Sequence, residues 1–269
     1  MSQINAKITE AIVNGLPLSF GKLGGIEASH IYQYLKTGQA QLVRGSTLFV
    51  NAGIYVRNQQ ELRQWCDHYI EAIKDLDYVL QWCPEQGDEA VIQSIWHGKE
   101  IFYSFQDLEP YTHEQNGWHY SLSDKKVLCV SPFSDTIKQQ SDQYDKIWNG
   151  ANVGEVITVR SPYSEALTGK SPMPWIDKYN NMKDEIEKLD FDFATVGCGG
   201  FSLLMCDFIK KLGKPCVHLG GGNQLLFGIK GKRWDNHEAL SKFYNEYWTR
   251  PLNHEIPTNN ALVEGGCYW

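Results

Sequence analysis

The chain has few of the short motifs by which enzymes are recognised from sequence. It contains no Walker loop, no GxSxG elbow and no GxGxxG turn with an acidic residue downstream. These absences argue against P-loop NTPases, α/β-hydrolases and dinucleotide-dependent dehydrogenases. The eight histidines show no HxH or HxxxH spacing, so a structural zinc site is not expected. The seven cysteines are odd in number and form no CxxC pair. We therefore expect reduced thiols and a cytoplasmic location.

Long apolar runs and excess positive charge are also missing. No stretch approaches the roughly 18 apolar residues of a membrane-spanning helix, and the opening residues MSQINAKITE lack the apolar core of a secretory signal. The net charge is −7, which disfavours general attraction to nucleic acid or to anionic membranes. We expect no nucleic-acid partner and no stable membrane insertion, and an anionic ligand would need a local basic site.

What the sequence does contain is an alternation of apolar strands and helices. From residue 126 to residue 219 the order is β-α-β-α-β-α-β, which predicts a parallel sheet with helices on its faces. We therefore predict an α/β fold and treat residues 1–269 as a single domain, with a sub-boundary near residue 122 as the alternative division. A terminal helix is predicted over residues 236–248. The oligomeric state is not indicated.

The most informative stretch runs from Phe191 to Trp234, where two strand-like segments each end in a glycine cluster and cations follow the second cluster. Ligands bind at the carboxyl ends of parallel strands, so an anionic ligand is favoured there. The candidate binding residues are Gly199, Gly200, His218, Gly220, Gly221, Gly222, Gln224, Lys230, Lys232 and Arg233. The plainer alternatives are a hydrogen-bonded core histidine and a solvated basic loop.

A second glycine turn stands near the start of the chain. Lys22 precedes Gly24 and Gly25, and Glu27 falls in the first turn of the helix that follows. Such a turn presents backbone N–H groups to an anion, and the carboxylate could bind a metal, a hydroxyl group or a proton. The alternative is a helix start where Glu27 only stabilises the helix dipole, by about 0.3–1 kcal/mol.

Several segments resemble those of GT-D-type glycosyltransferases and of relatives often encoded with polysaccharide-biosynthesis genes. The segment FGKLGGIE resembles a variant of the family's (R)-x-G-D-x-E motif, and the other similar segments are ATVGCGG, HLGGGNQLLFGIKGKRW and FYNEYWTRPLNHEIP…VEGGCYW. The resemblance implies a Rossmann-like parallel sheet flanked by helices. It also implies transfer of a sugar from a nucleotide-sugar donor to a glycan, a lipid-linked or a protein acceptor.

Residue by residue, the family's glutamate falls on Glu27 and its basic position on Lys22, whereas its aspartate falls on Gly25. The resemblance makes Glu27 the candidate catalytic residue and the candidate ligand of Mn²⁺ or Mg²⁺. Because Gly25 offers no side-chain ligand, the cations at 230–233 are expected to neutralise a diphosphate instead. Two alternatives stay open: a non-catalytic nucleotide- or glycan-binding module of the same fold, and a transferase acting on phosphorylated sugars or lipids.

Overall fold

A computed structural model describes residues 3–43, 45–96 and 99–269. Seven strands form one sheet in the order β3-β2-β1-β7-β6-β4-β5, and every neighbouring pair is parallel. The strands are β1 (Ser19–Lys22), β2 (Tyr78–Leu80), β3 (Ile101–Phe102), β4 (Lys126–Ser131), β5 (Glu155–Arg160), β6 (Phe193–Val196) and β7 (Cys216–His218). The predicted α/β architecture with a Rossmann-like parallel sheet is thereby confirmed.

Helices connect the strands, and several of them are single turns. The α-helices are α1 (Gln3–Asn14), α2 (Gly25–Thr37), α3 (Thr47–Val50), α4 (Gln59–Asp75), α5 (Asp88–Ile95), α6 (Phe105–Leu108), α7 (Ser134–Ser141), α8 (Tyr144–Ile147), α9 (Glu165–Thr168), α10 (Trp175–Ile186), α11 (Ser202–Lys211), α12 (Gly222–Leu226) and α13 (Glu238–Ser241). The 3₁₀ turns are Pro84–Gln86, Pro110–Asn116, Trp118–Leu122, Gly199–Phe201, Lys232–Trp234, Asn253–Glu255 and Asn260–Leu262. None of the helices in the described ranges is long and apolar enough to cross a bilayer.

The core consists of two helical layers, one on each face of the sheet. In β4, Leu128 and Val130 face the layer built by α2, α4, α10 and α11, whereas Val127 and Cys129 face the layer built by α1, α7 and α8. Both sets of side chains are fully buried. This two-sided burial explains why β4 reads as a continuous apolar run, as parallel strands covered on both faces do.

The strand order brings distant segments to one edge of the sheet. The strands β2 and β3 lie on one side of β1. The strands β4 and β5 form the opposite side of the sheet, and β6 and β7 occupy the two positions between β4 and β1. The loops after β4 and β6 therefore leave in opposite directions, which opens a crevice at the carboxyl edge. Because β1 pairs with β7, Phe20 opposite Val217, the turns that follow these two strands become neighbours.

The terminal helix predicted over residues 236–248 is wrong. Only Glu238–Ser241 is α-helical there. Phe243 and Trp248 both pack on Trp148, with ring centroids 5.6 Å and 5.3 Å away. Residues five positions apart lie about 140° apart around a straight helix, so both could not reach one ring from it. Packing on this aromatic cluster therefore overrides the helical pattern.

A buried ion pair fixes the loops on one side of the carboxyl edge. The ammonium of Lys178 lies 2.7 Å from Glu165 Oε2 and donates to the Gly53 carbonyl at 3.2 Å. The other oxygen of Glu165 accepts a hydrogen bond from the backbone N–H of Met173 at 3.1 Å. The pair thus ties the loop around residue 53 to α9 and α10.

We expect Lys178→Ala to lower the free energy of unfolding by about 3–5 kcal/mol, because it leaves a buried carboxylate without its counter-ion. Urea unfolding followed by circular dichroism would measure the change. Lys188→Ala, at an exposed position close to the end of α10, is the matched control and should stay within about 0.5 kcal/mol of wild type. A loss no larger than that of the control would contradict the structural role given to the pair.

Candidate functional site

A cleft of about 350 Å³ opens at the carboxyl edge of the sheet. Segments that follow β1, β2, β4, β5, β6 and β7 line it, and so does the stretch from residue 263 to residue 269. The glycine turn near the start of the chain and the glycine cluster after β7 therefore open into the same cavity. Ligands of open parallel sheets bind at such a place.

The first wall is the Gly24–Gly25 turn at the start of α2. Within the described residues, α2 has no side-chain cap. The Glu27 carboxylate folds back over the turn, so that a Cβ on Gly24 would lie 2.0 Å from Glu27 Oε2. Glu27 is only 7% exposed, and burial raises the pKa of its carboxyl group, opposed by a hydrogen bond from its own backbone N–H. A raised pKa makes the ionised carboxylate a stronger base than that of an exposed glutamate.

Gln86 covers the second glycine of this turn. A Cβ on Gly25 would lie 1.3 Å from Gln86 Oε1, so the carboxamide fills the space that a side chain at position 25 would need. Gln86 lines the cleft. Reasoning from sequence missed this residue, because nothing local relates positions 25 and 86.

Lys22 lies at the end of β1, half-buried between two aromatic rings. Its Nζ is 5.1 Å from the ring centroid of Trp82 and 4.3 Å from that of Phe105. In the part of the chain that the structure describes, this ammonium makes no hydrogen bond or ion pair. Burial lowers the pKa of Lys22 to about 8; nearby Glu109 opposes this shift and Arg233 adds to it. Lys22 is thus a cation that faces the cleft without a bound counter-ion.

His218 ends β7 and borders the same part of the cleft. It is 5% exposed, and burial together with the Lys22 ammonium lowers its pKa to about 3, so the imidazole is neutral at pH 7. Gly220 has φ of +60°, and a Cβ there would lie 3.4 Å from Lys22 Cε. A Cβ on Gly221 would meet the Trp234 ring at 3.0 Å. The glycines let the backbone pass closely between Lys22 and Trp234.

The three predicted cations do not point the same way. Arg233 lines the cleft, where it forms an ion pair with Glu264 and donates to the Tyr268 hydroxyl at 3.2 Å. Lys230 lies over the Tyr244 ring at 5.2 Å, and Lys232 donates to the Gly265 carbonyl at 3.2 Å. Neither lysine lines the cleft. Only Arg233 of this group is therefore placed to meet a ligand there.

The remaining predicted glycines have different surroundings. Gly199 lines the cleft with φ of +58°. Gly200 lies against Ile54, whose Cγ1 would be 2.6 Å from an added Cβ. Gly222 is buried beside Glu109, whose Oε1 would be 2.9 Å from an added Cβ. Close packing therefore accounts for Gly200 and Gly222, while Gly199 belongs to the wall of the cleft.

Gln224 has a structural role at the cleft, and Cys198 is unsuited to react there. Gln224 is buried, and its Nε2 donates to the Lys230 carbonyl at 3.0 Å and to the Tyr268 carbonyl at 2.8 Å. It therefore holds the last residues against the cleft. Cys198 also lines the cleft, where its thiol is the kind of group that could serve as a nucleophile, but burial raises its pKa to about 12 and makes it unsuited to that role.

The last residues of the chain form an aromatic wall that the sequence did not reveal. The Trp269 ring lies 6.3 Å from Phe133 and 5.8 Å from Tyr163, between ring centroids. Trp269 Nε1 donates to the Glu255 carbonyl at 3.2 Å, and the Tyr268 side chain lies beside Arg233. High aromatic content was visible in the sequence, but not which rings would meet at the cleft.

Glu27 does not stand in a cluster of three or more metal-ligating side chains within the described ranges. Among the described residues, the group with metal-ligand spacing is Asp135, His254 and Glu255, with ligand atoms within 4.8 Å of one another. Arg160 forms ion pairs with both of these carboxylates. Glu255 also accepts from the backbone N–H of Asp135 at 2.7 Å, at the start of α7. This cluster is therefore an ion-pair network around a helix start, and Glu27 does not belong to it.

Comparison with known proteins gives no relative: no protein-family model, curated protein or solved structure matches this chain.

We expect Lys22→Met to raise the free energy of unfolding at pH 7 by roughly 1–3 kcal/mol, because the wild type must hold a partly desolvated charge. The destabilisation of the wild type by the desolvated ammonium is fully present below pH 8. It is relieved between about pH 8, the folded-state pKa, and about pH 10.4, the unfolded value, so wild-type stability rises relative to the variant in that window.

Urea unfolding at a series of pH values would measure the difference between wild type and Lys22→Met. Lys170→Met, at an exposed position, is the control and should leave the pH profile of stability as in wild type. If the free energy of unfolding of Lys22→Met ran parallel to that of wild type between pH 7 and pH 10.5, a lowered pKa of Lys22 would be ruled out.

Proposed function

We propose that this chain is a glycosyltransferase that transfers a sugar from a nucleotide-sugar donor to a hydroxyl group of a glycan, a lipid-linked or a protein acceptor. One observation carries the proposal. A single cleft at the carboxyl edge of the sheet joins two cations, Lys22 and Arg233, to a buried carboxyl group, Glu27. Such a cleft offers both a diphosphate site and a proton acceptor.

The cations and the glycine turn after β7 are proposed to hold the diphosphate. Lys22 forms no direct ion pair among the described residues, and Arg233 exchanges Glu264 for a phosphate oxygen when the donor binds. A guanidinium can grip phosphate through two N–H groups, whereas the ammonium acts as a point charge. As the bond between the anomeric carbon and the diphosphate breaks, both cations stabilise the negative charge on the leaving group.

Glu27 is proposed to act on the acceptor. Its ionised carboxylate takes the proton of the acceptor hydroxyl while that oxygen attacks the anomeric carbon. Burial supports this role, because it raises the pKa of Glu27 and makes its carboxylate a stronger base. The aromatic faces of Trp82, Tyr163 and Trp269 line the same cleft and suit the stacking of a nucleobase or a sugar ring.

A non-catalytic nucleotide- or glycan-binding module of the same fold is the second candidate. The observation that favours it is the glycine at position 25, which leaves Glu27 without a neighbouring carboxylate in the turn. A module would bind nucleotide in this cleft and turn over no donor. Turnover assays over a panel of nucleotide-sugars therefore separate the two candidates.

We expect Arg233→Ala to weaken nucleoside-diphosphate binding about 10- to 150-fold, because it removes a charge-assisted hydrogen bond worth about 1.5–3 kcal/mol. Isothermal titration calorimetry would give the dissociation constants. Lys232→Ala is the matched control, since it removes the adjacent cation, which does not line the cleft. Equal losses in the two variants would contradict the diphosphate site.

We expect Glu27→Gln to slow sugar transfer about 10²- to 10⁴-fold while the dissociation constant of the donor stays within about twofold, because the amide cannot take a proton. Single-turnover kinetics with a radiolabelled donor would measure the step. Glu85→Gln, an exposed carboxylate next to Gln86, is the control. Unimpaired transfer by Glu27→Gln would remove Glu27 from the reaction.

A further inference from the structure

We infer that Gln86 is a donor-binding residue that hydrogen-bonds a hydroxyl group of the nucleotide-sugar beside Glu27, and that position 25 is glycine so that this carboxamide can lie over the turn. The inference rests on the proposed function and adds to it a residue and an orientation of the ligand.

Backbone hydrogen bonds fix the position of Gln86, whereas its side-chain carboxamide has no hydrogen-bond partner among the described residues. The backbone carbonyl of Gln86 accepts from Ser29 Oγ at 3.0 Å, and its N–H donates to the Cys83 carbonyl at 2.9 Å. Gly87 follows with φ of +93° and closes the turn. The carboxamide itself makes no hydrogen bond within the ranges that the structure describes. Gln86 is exposed and lines the cleft, so its unbonded amide is available to a ligand there.

The carboxamide of Gln86 lies so close to Gly25 that a side chain at position 25 would collide with it. The Cβ of an alanine there would lie 1.3 Å from Gln86 Oε1, 2.4 Å from its Cδ and 3.1 Å from its Nε2. All three atoms belong to the flexible end of Gln86, and Gly25 has an ordinary negative φ at the first position of α2. Gly25→Ala is therefore expected to fold and to displace the carboxamide from the turn.

The charges of the cleft orient the ligand. Glu27 and Gln86 lie over Gly24 and Gly25, whereas Lys22 lies beside Gly220 and Arg233 packs on Tyr268 next to Gly221. The two cations therefore border the glycine turn after β7, and Glu27 and Gln86 border the turn before α2. A diphosphate belongs with the cations, which leaves the neutral, hydroxyl-bearing part of the donor beside the carboxylate and the amide.

An amide suits this neighbourhood because it offers a donor and an acceptor from one group. A hydroxyl group likewise donates one hydrogen bond and accepts others, so Gln86 can bind a hydroxyl group of the donor beside Glu27, while the carboxylate stays available to the acceptor hydroxyl. The hydroxyl groups belong to either the ribose or the transferred sugar, and the choice of probe distinguishes the two.

A double-mutant cycle tests the inference by calorimetry with full-length protein. The variants are Gly25→Ala, Gln86→Ala and the double variant, each titrated with a nucleotide-sugar that the wild type binds and with the matching nucleoside diphosphate. We expect each single variant to weaken nucleotide-sugar binding about 3- to 10-fold, the effect of one neutral hydrogen bond. The double variant should be no weaker than either single variant, because both changes remove the same contact.

The control is Gln93→Ala, an exposed glutamine on α5, which should bind as wild type does.

A loss of affinity for both probes assigns the hydroxyl to the ribose, and a loss for the nucleotide-sugar alone assigns it to the sugar; both outcomes support the inference. Unchanged binding by Gln86→Ala, or additive losses in the double variant, would overturn it. If Arg233→Ala weakens binding while Gln86→Ala does not, the proposed function stands without this residue. If the wild type binds no nucleotide at all, the proposed function and the inference about Gln86 both fail.

Discussion

The parallel pairing of β1 with β7 is the constraint on which the rest of the site depends. It places the turn that carries Lys22 and Glu27 beside the turn that leads to Arg233, although the two are some 200 residues apart in the sequence. Each turn alone supplies only part of the wall of the cleft. The backbone hydrogen bonds of the sheet, rather than any contact between functional side chains, bring the parts together.

The cleft is assembled at an energetic cost that the core must offset. A half-buried ammonium and a buried carboxyl group are each less well solvated than they would be in the unfolded chain, and burial opposes protonation of His218. Groups with shifted pKa values gather where chemistry or binding occurs. The two helical layers around the sheet supply the stabilisation, and Gln224 holds the final aromatic residues across the opening.

The sequence predicted the parts of this structure that local patterns determine. Apolar runs that end in glycine clusters predicted the parallel sheet and the glycine turns at its carboxyl edge, where Gly220 and Gly199 do have positive φ. The rest depends on tertiary contacts that no local pattern encodes. Gln86 reaches Gly25 from a distant turn, Lys230 and Lys232 point away from Arg233, and aromatic packing prevents a helix over residues 236–248.

A crystal structure of the protein with a bound nucleotide-sugar is the most direct measurement of the central claim, that one ligand spans the carboxyl edge of the sheet. We predict the diphosphate within hydrogen-bond distance of Arg233 and Lys22, with Arg233 released from Glu264, and ligand hydroxyl groups beside Glu27 and Gln86. A ligand in the reverse orientation, or one bound outside this cleft in the groove bounded by Phe49, Tyr55 and Leu62, would contradict that claim.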